Sequence, residues 1–188
     1  MATPLTFRNS LFLRPCVKHF SHSHPLRPVA VKEEDEVICC GCEMDLSGSG
    51  YRCTKSNCDF FLHKSCFELP RELQHNSHSN HSLTLVASPP NDDSKFTCNA
   101  CGDYGTGFTY HCLTCQFNLH VGCAFLPQTI KHVDHTHLLT LFYSSSIERG
   151  CTTFTCDACK KEVPHSHWIY YCPDCDYGTD LACTVPDQ

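Results

Sequence analysis

The sequence predicts a β-rich fold of three small modules in tandem, made of short strands plus a short C-terminal helical turn, with little conventional hydrophobic core. Three observations predict it. The 188 residues include 18 cysteines and 14 histidines, together about one residue in six, whereas Leu, Ile, Val and Phe supply only about 22%, near the level below which chains fail to hold a packed interior. A Cys/His pattern recurs three times, its starts at Cys39, Cys98 and Cys156 lying 59 and 58 residues apart. Modules of that size bury too little apolar surface to offset chain entropy unaided. The cysteines and histidines must therefore staple them, through disulfides or through a metal.

The N-terminal segment bears on that choice. Residues 1–32 carry five basic and no acidic residues, which faintly resembles an organellar transit peptide; residues 1–18 are read as a basic disordered tail. Leu11-Phe12-Leu13 is too short for the apolar centre of a secretory signal. No run of 18 apolar residues exists, so no transmembrane segment is expected. The expected location is intracellular, cytoplasm or nucleus, where thiols favour metal over disulfides.

Repeat 1 (residues 19–74) reads Cys39-x-x-Cys42, then Cys53, Cys58, His63 and Cys66. Repeat 2 (75–131) reads Cys98-x-x-Cys101, Cys112-x-x-Cys115, His120 and Cys123. Repeat 3 (132–188) is degenerate, with Cys156-x-x-Cys159, Cys172-x-x-Cys175, Asp180 and Cys183. A His cluster precedes each copy: His19, His22 and His24; His75, His78 and His81; His132, His135 and His137. Pro70, Pro127 and Pro186 follow the last Cys of each copy, leaving room for one helical turn. Ser82–Val86, Phe96-Thr97 and Phe108–His111 favour strands, and residues 87–95 and 143–150 read as loops.

The spacing points to zinc. Two thiolates two residues apart sit on a tight turn that aims both sulfurs at one point, and a tetrahedral site joins such a pair to a second pair from elsewhere in the chain. A disulfide framework needs no histidine at a fixed offset from cysteine, and a thioredoxin-like redox pair belongs to an α/β sheet larger than 58 residues. Zinc binding supplies about 10–16 kcal/mol that becomes folding energy, which is what these modules lack.

The order His … Cys-x-x-Cys … Cys-x-x-Cys-x4-His-x-x-Cys resembles the phorbol-ester/diacylglycerol-type zinc finger. It is closer still to the Cys/His-rich divergent branch of that family, abundant in plants and usually found in tandem. Residues 53–66 (Cys-Thr-Lys-Ser-Asn-Cys-Asp-Phe-Phe-Leu-His-Lys-Ser-Cys) and 110–124 carry the likeness, which spans about residues 19–186. The resemblance implies two interleaved zinc sites per module. One takes the first Cys pair with His-x-x-Cys, here Cys39, Cys42, His63 and Cys66, and again Cys98, Cys101, His120 and Cys123. The other takes the second Cys pair, an upstream His and a terminal Cys, which is missing here.

Eight residues separate Cys66 from His75 and Cys123 from His132. We read the first His of each cluster as completing the module behind it, giving His22 or His24 with Cys53, Cys58 and His75, and His78 or His81 with Cys112, Cys115 and His132. The rival reading has two histidines of one cluster serve their own module. In repeat 3 Asp180 stands where the siblings have His; carboxylate oxygen is an acceptable zinc ligand. Cys156, Cys159, Asp180 and Cys183 are one expected site, and Cys172 and Cys175 pair with His135 and His137, or with His165 or His167. Five or six zinc ions per chain follow.

Nothing catalytic is expected, because the well-placed Cys and His are spent as ligands and a closed four-ligand site leaves no position for substrate. Beyond residue 32 the chain carries nine basic and twenty acidic residues, which repels a phosphate backbone; nucleic acid is an unfavoured partner. The polar loop Gly102–Gly107 and the short interval between Cys pairs argue against phorbol-ester or diacylglycerol binding. The expected function is a non-catalytic protein-interaction adaptor in plant signalling or stress response, with an unidentified protein partner; nucleic-acid, lipid-binding or disulfide-reductase roles are the alternatives. The aromatics beside the Cys pairs (Phe60, Phe96, Phe108, Phe117, Trp168) are expected to form miniature cores around the metals, and His111 to be an exposed strand residue.

Overall fold

A computed structural model describes residues 15–89, 94–144 and 153–184. The expected tail lies outside these over residues 1–14, as does Pro186, and the two expected loops are described only in part. Among the described residues no helix is long and apolar enough to cross a membrane.

In the first module β1 (Val17–His19), β2 (His22–Val31), β3 (Gly48–Cys53) and β4 (Phe61–His63) form an antiparallel sheet in chain order, followed by the single turn α1 (Lys64–Phe67). The start of β1 falls inside the segment expected as tail. The second module repeats the plan with β5 (Glu72–Leu73), β6 (Leu83–Val86), a small hairpin of β7 (Phe96–Thr97) and β8 (Tyr104–Gly105), then β9 (Thr109–His111), β10 (Asn118–His120) and α2 (Val121–Ala124). Its sheet order is β5-β6-β9-β10. The third has β11 (Thr129–His132), β12 (His135–Phe142), the hairpin β13 (Thr153–Thr155) and β14 (Glu162–Pro164), then β15 (Ile169–Cys172), β16 (Tyr177–Asp180) and a 3-10 turn over Ala182–Thr184. Its sheet is β11-β12-β15-β16. The fold is thus three small β-rich modules, as the sequence predicts. The helical turns contain the last Cys instead of following it, so Cys66 and Cys123 ride on α1 and α2.

Alternation along the strands puts one apolar row inside. Leu26, Leu83 and Leu139 hold equivalent positions and are fully buried; Leu26 pairs with Cys53 across the β2/β3 ladder. Leu62 and Leu119, each preceding the ligand His, are fully buried too, and the third module has Thr179 there, equally buried. The buried residues of all three modules merge into one cluster from Leu26 to Cys172, with a smaller satellite around Val163 and Ile169. Phe108 and Trp168 belong to the junctions between modules, not to miniature cores of their own. His111 is buried, with Nδ1 2.8 Å from Asn118 Oδ1, which corrects its expected exposure.

Candidate metal centres

One kind of site lies between the first Cys pair and the strand-to-helix corner. Cys39 and Cys42 sit on a tight turn closed by the Glu43 N–H on Cys39 O, with Glu43 in the left-handed region at φ 62°. The buried Cys39 sulfur accepts the backbone N–H groups of Gly41 and His63, each at 3.4 Å. His63, ending β4, has Nδ1 3.3 Å from Cys42 Sγ and 3.8 Å from Cys66 Sγ. Its Nε2 lies 3.0 Å from Asp45 O; donating there leaves the Nδ1 lone pair facing the sulfurs, the usual tethering of a metal-bound imidazole. The second module reproduces this, with His120 Nδ1 3.4 Å from Cys101 Sγ and 4.0 Å from Cys123 Sγ, and His120 N–H 3.4 Å from Cys98 Sγ.

The electrostatics follow from crowding sulfurs together. Hydrogen bonds from Cys42 and Cys66 hold the Cys39 thiol far below the ordinary range, and the bonds of Cys66 with Cys39 and Cys42 push Cys66 up. Cys98 is lowered by Cys101 and Cys123, and Cys123 is raised in turn. The Cys101 and Cys98 sulfurs push His120 up to about 10. Such a group demands compensating positive charge, from protons or from a cation.

In the third module Cys159 S–H donates to Asp180 Oδ2 at 3.3 Å, Asp180 N–H to Cys156 Sγ at 3.4 Å, and Cys183 N–H to Asp180 Oδ1 at 2.8 Å. Burial works against the Asp180 carboxylate, but hydrogen bonds from Cys183, Cys159 and Cys156 outweigh it and hold the carboxyl below its usual range.

The second kind of site joins two histidines to the second Cys pair. The groups are His22, His24, Cys53 and Cys58; His78, His81, Cys112 and Cys115; His135, His137, Cys172 and Cys175, each with its donor atoms within 4.8 Å of one another. His22 Nε2 lies 3.3 Å from Cys58 Sγ, His81 Nδ1 3.2 Å from Cys115 Sγ and His137 Nδ1 3.1 Å from Cys175 Sγ. The remaining nitrogen in each pair (His24 Nδ1, His78 Nε2, His135 Nε2) is buried with no hydrogen-bond partner among the described residues. An orphaned ring nitrogen beside two sulfurs, three times over, fits an acceptor aimed at a cation. Zinc bonds of about 2.0–2.3 Å place tetrahedral donors about 3.3–3.8 Å apart, close to the spacings here. The residues fit zinc.

Each cluster therefore serves its own module, which corrects the reading in which His75 and His132 complete the module behind them. His19, His75 and His132 do something else. In the repeated His-x-Ser/Asp-His stretch, their Nδ1 atoms accept the N–H of Ser21, Ser77 and Asp134 at 3.4, 3.1 and 3.2 Å. They shape the turn that delivers the ligand pair. Eight-residue spacing alone could not distinguish a ligand from a turn residue; the repeated Ser or Asp two positions on was the available signal. His165 and His167, the alternative ligands for Cys172 and Cys175, lie outside the group that forms.

Phe60 and Phe117 were expected around the metals, but sequence reasoning missed Tyr177 at the same place, two residues past the second Cys pair, and the stacking of all three on a ligand histidine. Phe60, Phe117 and Tyr177 stack on His22, His78 and His135 at 4.1, 4.7 and 4.5 Å, with ring planes within 10°. Cys40, the cysteine inside the first turn, is half-buried with its thiol 3.8 Å from Asp59 O.

The sequence profile of the C1 domain matches residues 20–67, 76–124 and 133–184. Probable nucleoredoxin 1 of Arabidopsis thaliana is 34% identical over 65 residues, 35% of this chain and 10% of that protein. The chain thus spans about a tenth of that relative's length. No solved structure matches the chain significantly.

Proposed function

The chain belongs to the C1-domain family, with three consecutive copies, and on that premise we propose that it is a non-catalytic protein-interaction scaffold rigidified by six zinc ions. The adaptor role in intracellular signalling or stress response, of the plant kind its Cys/His-rich branch suggests, belongs to the same reading. One observation carries it: the repeated Cys and His positions converge into four-donor groups, two in each of the first two modules and one at Cys172 and Cys175 in the third, where Asp180 also hydrogen-bonds with Cys156, Cys159 and Cys183. Zinc with four protein ligands has no open position for water or substrate. Bound there, zinc supplies folding energy and fixed surfaces; the chain's own residues supply the faces that a partner reads.

Lipid capture is disfavoured by where the polar loop goes. Thr106 N–H donates to Glu43 Oε2 at 3.0 Å and Phe108 N–H to Gly41 O at 2.8 Å, so the loop is spent on the neighbouring module. A redox role draws on the likeness to probable nucleoredoxin 1, whose name denotes a redox protein. Here every Cys-x-x-Cys pair faces further donor atoms, and a liganded thiolate is a poor nucleophile for exchange. The test is a disulfide-reduction assay on the zinc-loaded chain with chelation followed by circular dichroism. The expected result is no turnover and loss of fold on chelation; turnover with zinc retained contradicts the proposal.

A further inference from the structure

The two junctions between modules are built alike. Phe108, four residues before Cys112, donates its N–H to Gly41 O at 2.8 Å and lies parallel to His19, centroids 6.0 Å apart. Trp168, four residues before Cys172, donates its N–H to Ala100 O at 2.8 Å and lies parallel to His75 at 5.3 Å. Gly41 and Ala100 occupy the same place, the third residue of a Cys-x-x-Cys turn, and His19 and His75 each open their cluster. A tyrosine two residues further on adds a bond in both cases: Tyr110 to Pro70 O at 2.8 Å and Tyr170 to Pro127 O at 2.6 Å. Phe108 and Trp168 are wedges, each 2% exposed.

The third module carries the receiving half of this junction. Ala158 holds the position of Gly41 and Ala100 but is exposed where they are buried. Val133, in the place where Phe20 presses on Phe108 at 5.6 Å, is 84% exposed. Lys160 stands where Glu43 accepts the Thr106 backbone and hydroxyl, and its side chain is 71% exposed beside Asp157. The first module carries no wedge. Ser49 is four residues before Cys53, and its strand stays paired through Ala30↔Ser49 and Val31↔Gly48. In the other two modules the matching ladder stops at Val86↔Thr109 and Phe142↔Ile169, just past the wedge.

We propose that Ala158, His132, Val133 and Lys160 form a docking face for a C1-type module of a partner protein. That module presents an aromatic residue four positions before its second Cys pair, with an acidic residue two positions before the aromatic, facing Lys160. Continuity with two existing junctions defines this occupant, since the same turn, the same leading His and the same geometry recur. A second copy of this chain does not supply it: its first module has Ser49 at the wedge position, and its own wedges are buried. The inference rests on the scaffold reading and names its partner surface.

The test extends the full chain by a second copy of residues 124–184 placed directly after Cys183, preserving the eight-residue interval that separates Cys123 from His132. Trp168→Phe in the original copy leaves the appended tryptophan as sole reporter, because the chain has one Trp and the second module already uses Phe. The appended indole should resist acrylamide quenching as Trp168 does in the unaltered chain, and Ala158→Arg should raise its quenching several-fold. Free quenching in a chain that has taken up two further zinc ions overturns the proposal. If the extra zinc is not taken up, sedimentation of the unaltered chain mixed with a Ser49→Trp chain decides: association removed by Ala158→Arg supports the face, and no association overturns it. Self-association of the unaltered chain that Ala158→Arg abolishes assigns the face to a second copy and overturns the partner assignment. None of these outcomes touches zinc content or the redox assay, so the scaffold reading fails separately.

Discussion

The His22 imidazole lies flat on the Phe60 ring, centroids 4.1 Å and planes 10° apart. The contact recurs as His78 on Phe117 and His135 on Tyr177, and in each case the aromatic follows the second Cys pair by two residues. The hairpin that supplies two sulfurs thus also supplies the plate that orients the nearer imidazole. Groups that fix a ligand's orientation are worth about 10–100-fold in metal affinity. Phe117→Ala should weaken zinc at His78, His81, Cys112 and Cys115 by about tenfold, read by competition with a chromogenic chelator. Phe117→Tyr should change little, because the third module works with Tyr.

The third module should surrender metal first. Asp180 replaces the ring nitrogen of His63 and His120 with a carboxylate oxygen, and it already satisfies the Cys183 N–H at 2.8 Å. Stepwise chelation should remove one zinc before the others, and Asp180→His should abolish that early step. An unchanged release profile would place Asp180 outside the coordination sphere.

Thr179 is a second weakness of that module. It is fully buried where Leu62 and Leu119 stand in the siblings, and its hydroxyl has no hydrogen-bond partner among the described residues. An unpaired buried hydroxyl costs about 1–3 kcal/mol. Thr179→Val keeps the shape and removes the cost, so it should stabilise the third module by about 1 kcal/mol in thermal unfolding; destabilisation would show that the hydroxyl is satisfied in solution.

The junction histidine gives a pH dependence. Burial lowers His75 below its usual imidazole range, so the unfolded or undocked state binds the proton more readily. Its contribution is fully present above pH about 6.5 and is lost as pH falls below that value towards the lowered one. Trp168, stacked on His75 at 5.3 Å, reports the change directly. Its emission should titrate with a midpoint below that of a free imidazole, and His75→Phe should remove the titration in chains that still hold their zinc. A midpoint that persists in His75→Phe would locate the proton elsewhere.

The tandem plan was legible because Cys-x-x-Cys and His-x-x-Cys recur at fixed intervals, whereas the joining of the first Cys pair to His-x-x-Cys came from the family resemblance, since spacing alone does not say which distant pairs meet. The short strands at Phe96-Thr97 and Leu83–Val86 were legible from alternation and flanking turn residues. The role of His75 was not, since a histidine eight residues past a cysteine serves equally as ligand, turn former or stacking plate. The Ser or Asp two positions on marks the turn former, and the position of Trp168, a residue 93 places on, selects the stacking plate. Phe108 and Trp168 misled for a related reason: an aromatic beside a Cys pair reads as local core, and whether it faces its own metal or the next module depends on how modules stack.

The most direct measurement of the central claim is zinc per chain by elemental mass spectrometry on protein purified under reducing conditions, with fold checked by circular dichroism. Two closed groups in each of three modules predict six zinc ions per folded chain, lost together with the fold on chelation. A folded chain holding fewer than five would contradict the account.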